Sequence, residues 1–180
     1  MYQPSDLQID VSLPERRYDV AGRLLVRAIT RASEDEAPAD AALRVARDEG
    51  TQVGETVRSQ ASLGKPGPER TISAAREVLT ELGYEPEKDA ADELSLHNCP
   101  FHSLAKQEPD LICGMNQAFL DGMLRGMGNE SIEAALTCVP GDCCVTLRRH
   151  GAEKGPATDG TGGDPEGSGL PTESSAPLPS

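Results

Sequence analysis

The residues of this chain that could do chemistry lie close together. All five cysteines, Cys99, Cys113, Cys138, Cys143 and Cys144, fall in one stretch, with His97 and His102 flanking the first and His150 following the last. Thiolates and imidazoles are zinc ligands, and thiolates also hold iron–sulfur clusters. A thiol beside a histidine is the pairing of a cysteine nucleophile and its base. Cysteine outside disulfides is, however, also a common small core residue. The stretch thus offers a metal or cluster site, a nucleophile, or inert packing.

Local context separates these readings in part. Cys99 precedes Pro100, so its thiol projects from a turn. Cys113 falls in the first turns of a helix opened by Pro109, where partial positive charge favours a thiolate. Cys143 begins a strand. A turn, a helix start and a hairpin end can converge on one point, as a ligand site requires. A Pro140-Gly141 turn would put Cys138 opposite Cys143. Side chains alternate along a strand, so Cys143 and Cys144 should face opposite ways and only one should ligate. His102 is a candidate ligand within one turn of Cys99, and equally a surface or capping residue. There is no CxxC pair and no compact zinc signature. As a nucleophile, Cys99 or Cys113 with His102 as base lacks a third orienting group and an oxyanion-type glycine loop. No enzymatic activity, and no catalytic residue, is expected.

The elements that must position these residues follow from periodicity. Leu7, Ile9, Val11 and Leu13 alternate with polar residues in an extended arm over residues 1–13. Ser12 and Pro14 then read as a helix start, with Tyr18, Ala21, Leu24, Leu25, Ala28 and Ile29 at helical spacing. Pro38 opens a second helical pattern through Leu43, Ala46, Val53 and Val57. Gly50 and Gly54 interrupt it, either to let another helix come close or simply to weaken this one. Thr71 reads as the cap of a third helix that ends at Gly83. Two short strands are expected near 84–86 and 93–97, around a polar turn. After the CPFH turn, Pro109 starts a long helix that stops in the Gly126–Gly128 region. Residues 132–139 and 143–148 form the clearest hairpin. Residues 150–180 hold almost nothing apolar and read as a disordered acidic tail.

Composition bounds the function. Aromatics are 3% of the chain and Trp is absent, so the core must be aliphatic and rich in alanine. A net charge of -13 argues against nucleic-acid binding by this chain alone, because phosphate contacts need a concentrated Lys/Arg face. No apolar run has the length of a membrane span and no leader opens the chain, so a cytoplasmic protein with no membrane contact is expected. Thiols or ligands are then a better reading of the cysteines than a disulfide framework.

The run NCPFHSLAKQEPDLICGMNQAFLDGMLRGMG, followed by PGDCCVTL, resembles the C-terminal domain of bacterial winged-helix regulators of the ArsR/DeoR-like kind. More distantly it is similar to the iron–sulfur repressor of the Suf cluster-assembly operon. The resemblance covers about residues 10–148, and LPERRYDVAGRLL and ELGYEP share in it. It implies a transcriptional regulator, a homodimer, and an iron–sulfur cluster on Cys99, Cys113 and Cys143, with zinc as the alternative. The third of the four spaced cysteines of that family would fall near Met127 or Gly128, where there is none. His102 or Cys138 could then supply a fourth ligand, or an iron could stay open. DNA would be bound only through an N-terminal winged helix, and the chain begins about where the linker after the wing would be.

The expected architecture is α+β: helices first, then a four-stranded antiparallel sheet and a long helix carrying the cysteine site, over residues 14–149. The helix after Pro14 is the expected transmitter of a change at the site. An inert oligomerisation domain and a cysteine/histidine enzyme are the other readings.

Overall fold

The computed structural model describes residues 16–88, 93–137 and 143–151. The arm over residues 1–13 with its Ser12 and Pro14 start signal, Cys138, the Pro140-Gly141 turn, and the tail beyond residue 151 lie outside the described residues. Among the described residues, five helices and four strands follow one another in chain order: α1 (Tyr18–Arg31), α2 (Pro38–Gln60), α3 (Pro68–Glu81), β1 (Pro86–Lys88), β2 (Leu94–Leu96), α4 (His102–Gln107), α5 (Pro109–Gly126), β3 (Ile132–Leu136) and β4 (Val145–Arg149). The strands make one antiparallel sheet in the order β1-β2-β4-β3. This is the α+β class.

α5 is the centre of the molecule. It packs on α2 along one side and on β3, β4 and α4 along others. Its apolar residues Ile112, Met115, Phe119, Leu120, Met123 and Leu124 are all buried. A helix buried on several faces needs neighbours that come close, and α2 supplies one through small residues. Ala42, Ala46, Gly50 and Gly54 form a row at spacing four on α2, and all four are buried. Gly114, Ala118, Gly122 and Gly126 form the matching row on α5. A methyl group at Gly50 would run into the carbonyl of Phe119, one at Gly54 into that of Met123, one at Gly122 into that of Arg47, and one at Gly126 into that of Thr51. The two backbones are in contact. Gly114 meets Leu43, Gly122 meets Arg47 and Gly126 meets Thr51, an order that makes the two helices parallel.

Gly50 and Gly54 therefore do not break their helix. Each costs about 1 kcal/mol of helix propensity against alanine, and close interhelix packing offsets that cost. Gly126, expected as a stop signal, is the last helical residue and belongs to the same contact.

Other boundaries differ from expectation for local reasons. α1 starts at Tyr18 with no side-chain cap, because the residue at that position is Arg17, whose guanidinium has no acceptor to offer the helix N–H groups. α3 starts at Pro68, one turn before Thr71; the Thr71 hydroxyl donates back to the Gly67 carbonyl from inside the first turn. The first sheet strand is displaced to Pro86–Lys88, because Tyr84 turns inward and is buried instead. The CPFH turn continues into the short helix α4. In the sheet, Leu94, Leu96, Val145 and Leu147 are buried, and the Gln117 side chain donates to the Ala134 carbonyl on the edge strand β3. Asn129 closes the turn after α5, its side-chain oxygen accepting from the backbone of Ser131 and Ile132.

The glycine contact yields a signed prediction. Gly122→Ala should lower the free energy of unfolding by on the order of 3 kcal/mol, since the added methyl forces two packed backbones apart. Gly22→Ala, at a position with open space around it, should raise it by about 0.5–1 kcal/mol. Urea unfolding of the two variants gives both values; a Gly122→Ala chain as stable as the parent would show that the helices do not touch as described.

Candidate functional site

Cys99 sits in the loop between β2 and α4, half-buried, and Cys143 sits just before β4 with 2% exposure. The two are brought together by the sheet. The Cys143 N–H donates to the Leu96 carbonyl at 2.9 Å, holding the approach to β4 against the end of β2. The thiols of Cys99 and Cys143 share a hydrogen bond. Cys113, in the second turn of α5, is half-buried and lies within electrostatic reach of Cys143. None of the three is in a disulfide, nor is Cys144.

The pair is asymmetric. The hydrogen bond from Cys143 is the largest influence on Cys99. With the Phe101 backbone and the Arg16 charge it outweighs burial and brings the Cys99 thiol down from 9.0 to about 7. The bond to Cys99, together with burial, pushes the Cys143 thiol up. The shared proton therefore stays on Cys143, and Cys99 is the thiolate. Asn116 fits this assignment. The buried Tyr84 hydroxyl donates to Asn116 Oδ1, which directs Asn116 Nδ2 at Cys143 Sγ, 3.3 Å away. Cys143 thus accepts from Asn116 and keeps its own proton for Cys99. Burial, with the two cysteines nearby, raises the Tyr84 phenol well above its ordinary value, so it remains a donor.

Arg16 ties the site to the start of α1. Its guanidinium donates to the Cys99 carbonyl at 2.7 Å and to Asn98 Oδ1 at 2.9 Å. Asn98 Nδ2 in turn donates to the Gly83 carbonyl at 2.6 Å, and the Arg17 N–H donates to the Pro100 carbonyl at 3.1 Å. The loop that carries Cys99 is held from three directions.

Of the expected ligands, Cys99 and Cys143 are in contact and Cys113 is close to the second. His102 opens α4, and its backbone N–H donates to the Cys99 carbonyl at 3.1 Å. Among the described residues, no three His, Cys, Asp or Glu side chains form a group that could hold a metal ion. The donor set has the softness of a zinc or iron–sulfur site, but the described geometry is a two-thiol contact with a third thiol nearby. The expected placement of Cys138 opposite Cys143 lies outside the described residues. Cys144 is half-buried where Cys143 is buried.

Arg16, Tyr84, Asn98 and Asn116 were not among the expected site residues. Asn116 carried a signal: a polar amide within the apolar run of α5, where a buried amide needs partners. Arg16 carried a weaker one, as a cation just ahead of a helix in a strongly acidic chain. No family model, curated protein or solved structure matches this chain.

The thiolate is the reactive form of cysteine, and a lowered value means that Cys99 ionises at lower pH. Alkylation of Cys99 by iodoacetamide, followed by peptide mass spectrometry, should therefore accelerate as the pH passes about 7. In Cys143→Ala the largest cause is gone, and the midpoint should move up toward 9.0. A midpoint unchanged by that substitution would show that the contact does not hold the thiolate.

Proposed function

We propose that this chain is the sensing domain of a transcriptional regulator and that its signal is read at the thiols of Cys99, Cys143 and Cys113. The observation that carries the reading is the contact between Cys99 and Cys143, which makes a half-buried thiolate from residues far apart in sequence. A structural core cysteine has no need of a partner that stabilises its charge. A thiolate held ready beside two further thiols suits capture of a soft metal or an iron–sulfur cluster.

In this reading Cys99, Cys113 and Cys143 would hold the group, which supplies a charged, chemically labile centre whose gain or loss is the signal. The chain's own residues do the rest. Asn116 orients Cys143, and Tyr84 orients Asn116. Arg16 supports α1 as the transmitter, since its guanidinium grips the Cys99 carbonyl two residues before that helix begins. A change in the Cys99 loop thus reaches α1 through one side chain. Val26 and Ile29 are exposed on the outer face of α1, and a second copy of the chain would complete a regulator dimer there. Operator contact would fall to a winged-helix domain. The reading needs no membrane, and no helix among the described residues is long and apolar enough to cross one.

The test is metal and sulfide content per chain, measured on protein prepared without oxygen. Cys99→Ser, Cys113→Ser and Cys143→Ser should each lose most of the bound iron or zinc, because a hydroxyl is a poor substitute for a thiolate on a soft metal. Cys144→Ser should keep nearly all of it. Equal content across all four variants would mean that the cysteines are packing residues.

A further inference from the structure

We propose that Cys99 and Cys143 close into a reversible intrachain disulfide, making the pair a modification site for low-molecular-weight disulfides of the glutathione type. The inference rests on the sensor reading of the same centre and adds a second input to it. Three observations carry it. First, the antiparallel pairing of β2 with β4, Leu94 opposite Leu147, brings Cys143 beside the end of β2 that leads into Cys99, where the two thiols interact. Second, both backbones are pinned where they are. The Cys143 N–H is bonded to the Leu96 carbonyl at 2.9 Å, and the Cys99 carbonyl accepts from the His102 N–H at 3.1 Å and from Arg16 at 2.7 Å. Third, access is unequal. Cys99 is half-buried and open to a small reagent, whereas Cys143 is 2% exposed and shielded from direct attack.

That inequality sets the order of events. The Cys99 sulfur, its proton lost to solvent, attacks one sulfur of the small disulfide, and one small thiolate leaves. Cys143 then gives up its proton and attacks the Cys99 sulfur, and the second small thiolate leaves. The two leaving thiolates take up the two protons. One small disulfide is reduced to two thiols, and the Cys99–Cys143 pair is oxidised by two electrons.

The bond and the metal exclude one another. Disulfide sulfurs are no longer thiolate ligands, so closing the pair withdraws two of the three soft donors and leaves Cys113 alone. Opening it by reduction restores them. The centre would then report both metal supply and thiol–disulfide balance through one pair of atoms.

The experiment uses the full chain, reduced and freed of metal, equilibrated with mixtures of reduced and oxidised glutathione. The intact mass should fall by two hydrogen atoms, peptide mapping should join Cys99 to Cys143, and dithiothreitol should reverse both. Cys143→Ala should instead accumulate one glutathione on Cys99, and Cys99→Ala should form no link to Cys143. Cys144→Ser should behave as the parent. Absence of the link, or a link joining Cys99 to Cys113, Cys138 or Cys144, overturns the proposal. Zinc binding by the reduced chain separates it from the sensor reading. A chain that binds zinc but makes no link refutes the disulfide alone, and one that makes the link but takes no zinc refutes the ligand set alone.

Discussion

The contact between α2 and α5 is the constraint on which the rest of the structure depends. A chain with 3% aromatics and no Trp has few large side chains with which to fill a core. It closes the space by bringing backbones together instead. The two rows of small residues, from Ala42 to Gly54 and from Gly114 to Gly126, let α5 lie directly on α2. Its other faces are then free to pack against the sheet and α4 and to present Cys113 and Asn116 to the thiols. A displaced α5 would move one cysteine and the amide that orients another. Scaffold and site are joined in one helix.

Most of the elements were legible because periodicity is a local property. The 3.6-residue pattern of α1 and α5, the proline starts of α2 and α5, and the hairpin at residues 132–149 follow from side-chain burial within one segment. So did the position of Cys99 in a turn and that of Cys113 in the early turns of a helix. What was not legible depends on partners distant in sequence. Gly50 and Gly54 could be read as close-packing or as weak points, and only Gly122 and Gly126 on a separate helix decide between them. Thr71 carried a cap signal, but Pro68 starts the helix one turn earlier and the threonine serves inside it. Tyr84 has strand propensity, yet the bond to Asn116 takes it out of the sheet and into the core.

The same distinction explains the site. Sequence placed the cysteines near one another but could not say which two would touch, since that is set by the bond between the Cys143 N–H and the Leu96 carbonyl. Nor could it find Arg16, which reaches the Cys99 loop from more than eighty positions away. Charge polarity within a cysteine pair comes from such groups. One thiol beside a guanidinium and a donor becomes the anion, and its buried partner keeps the proton. Three thiols at similar positions in a sequence are thereby given different roles in space.

The central claim is that Cys99, Cys113 and Cys143 act as one thiolate centre. Cadmium-113 nuclear magnetic resonance of the reduced chain, loaded with one cadmium per protein, tests it directly, because the chemical shift reports how many sulfur ligands the metal has. The expected result is a single bound species in the range of sulfur-rich coordination, moved toward lower sulfur content by Cys113→Ser. A shift typical of oxygen and nitrogen ligands, or no bound cadmium at all, would contradict the claim.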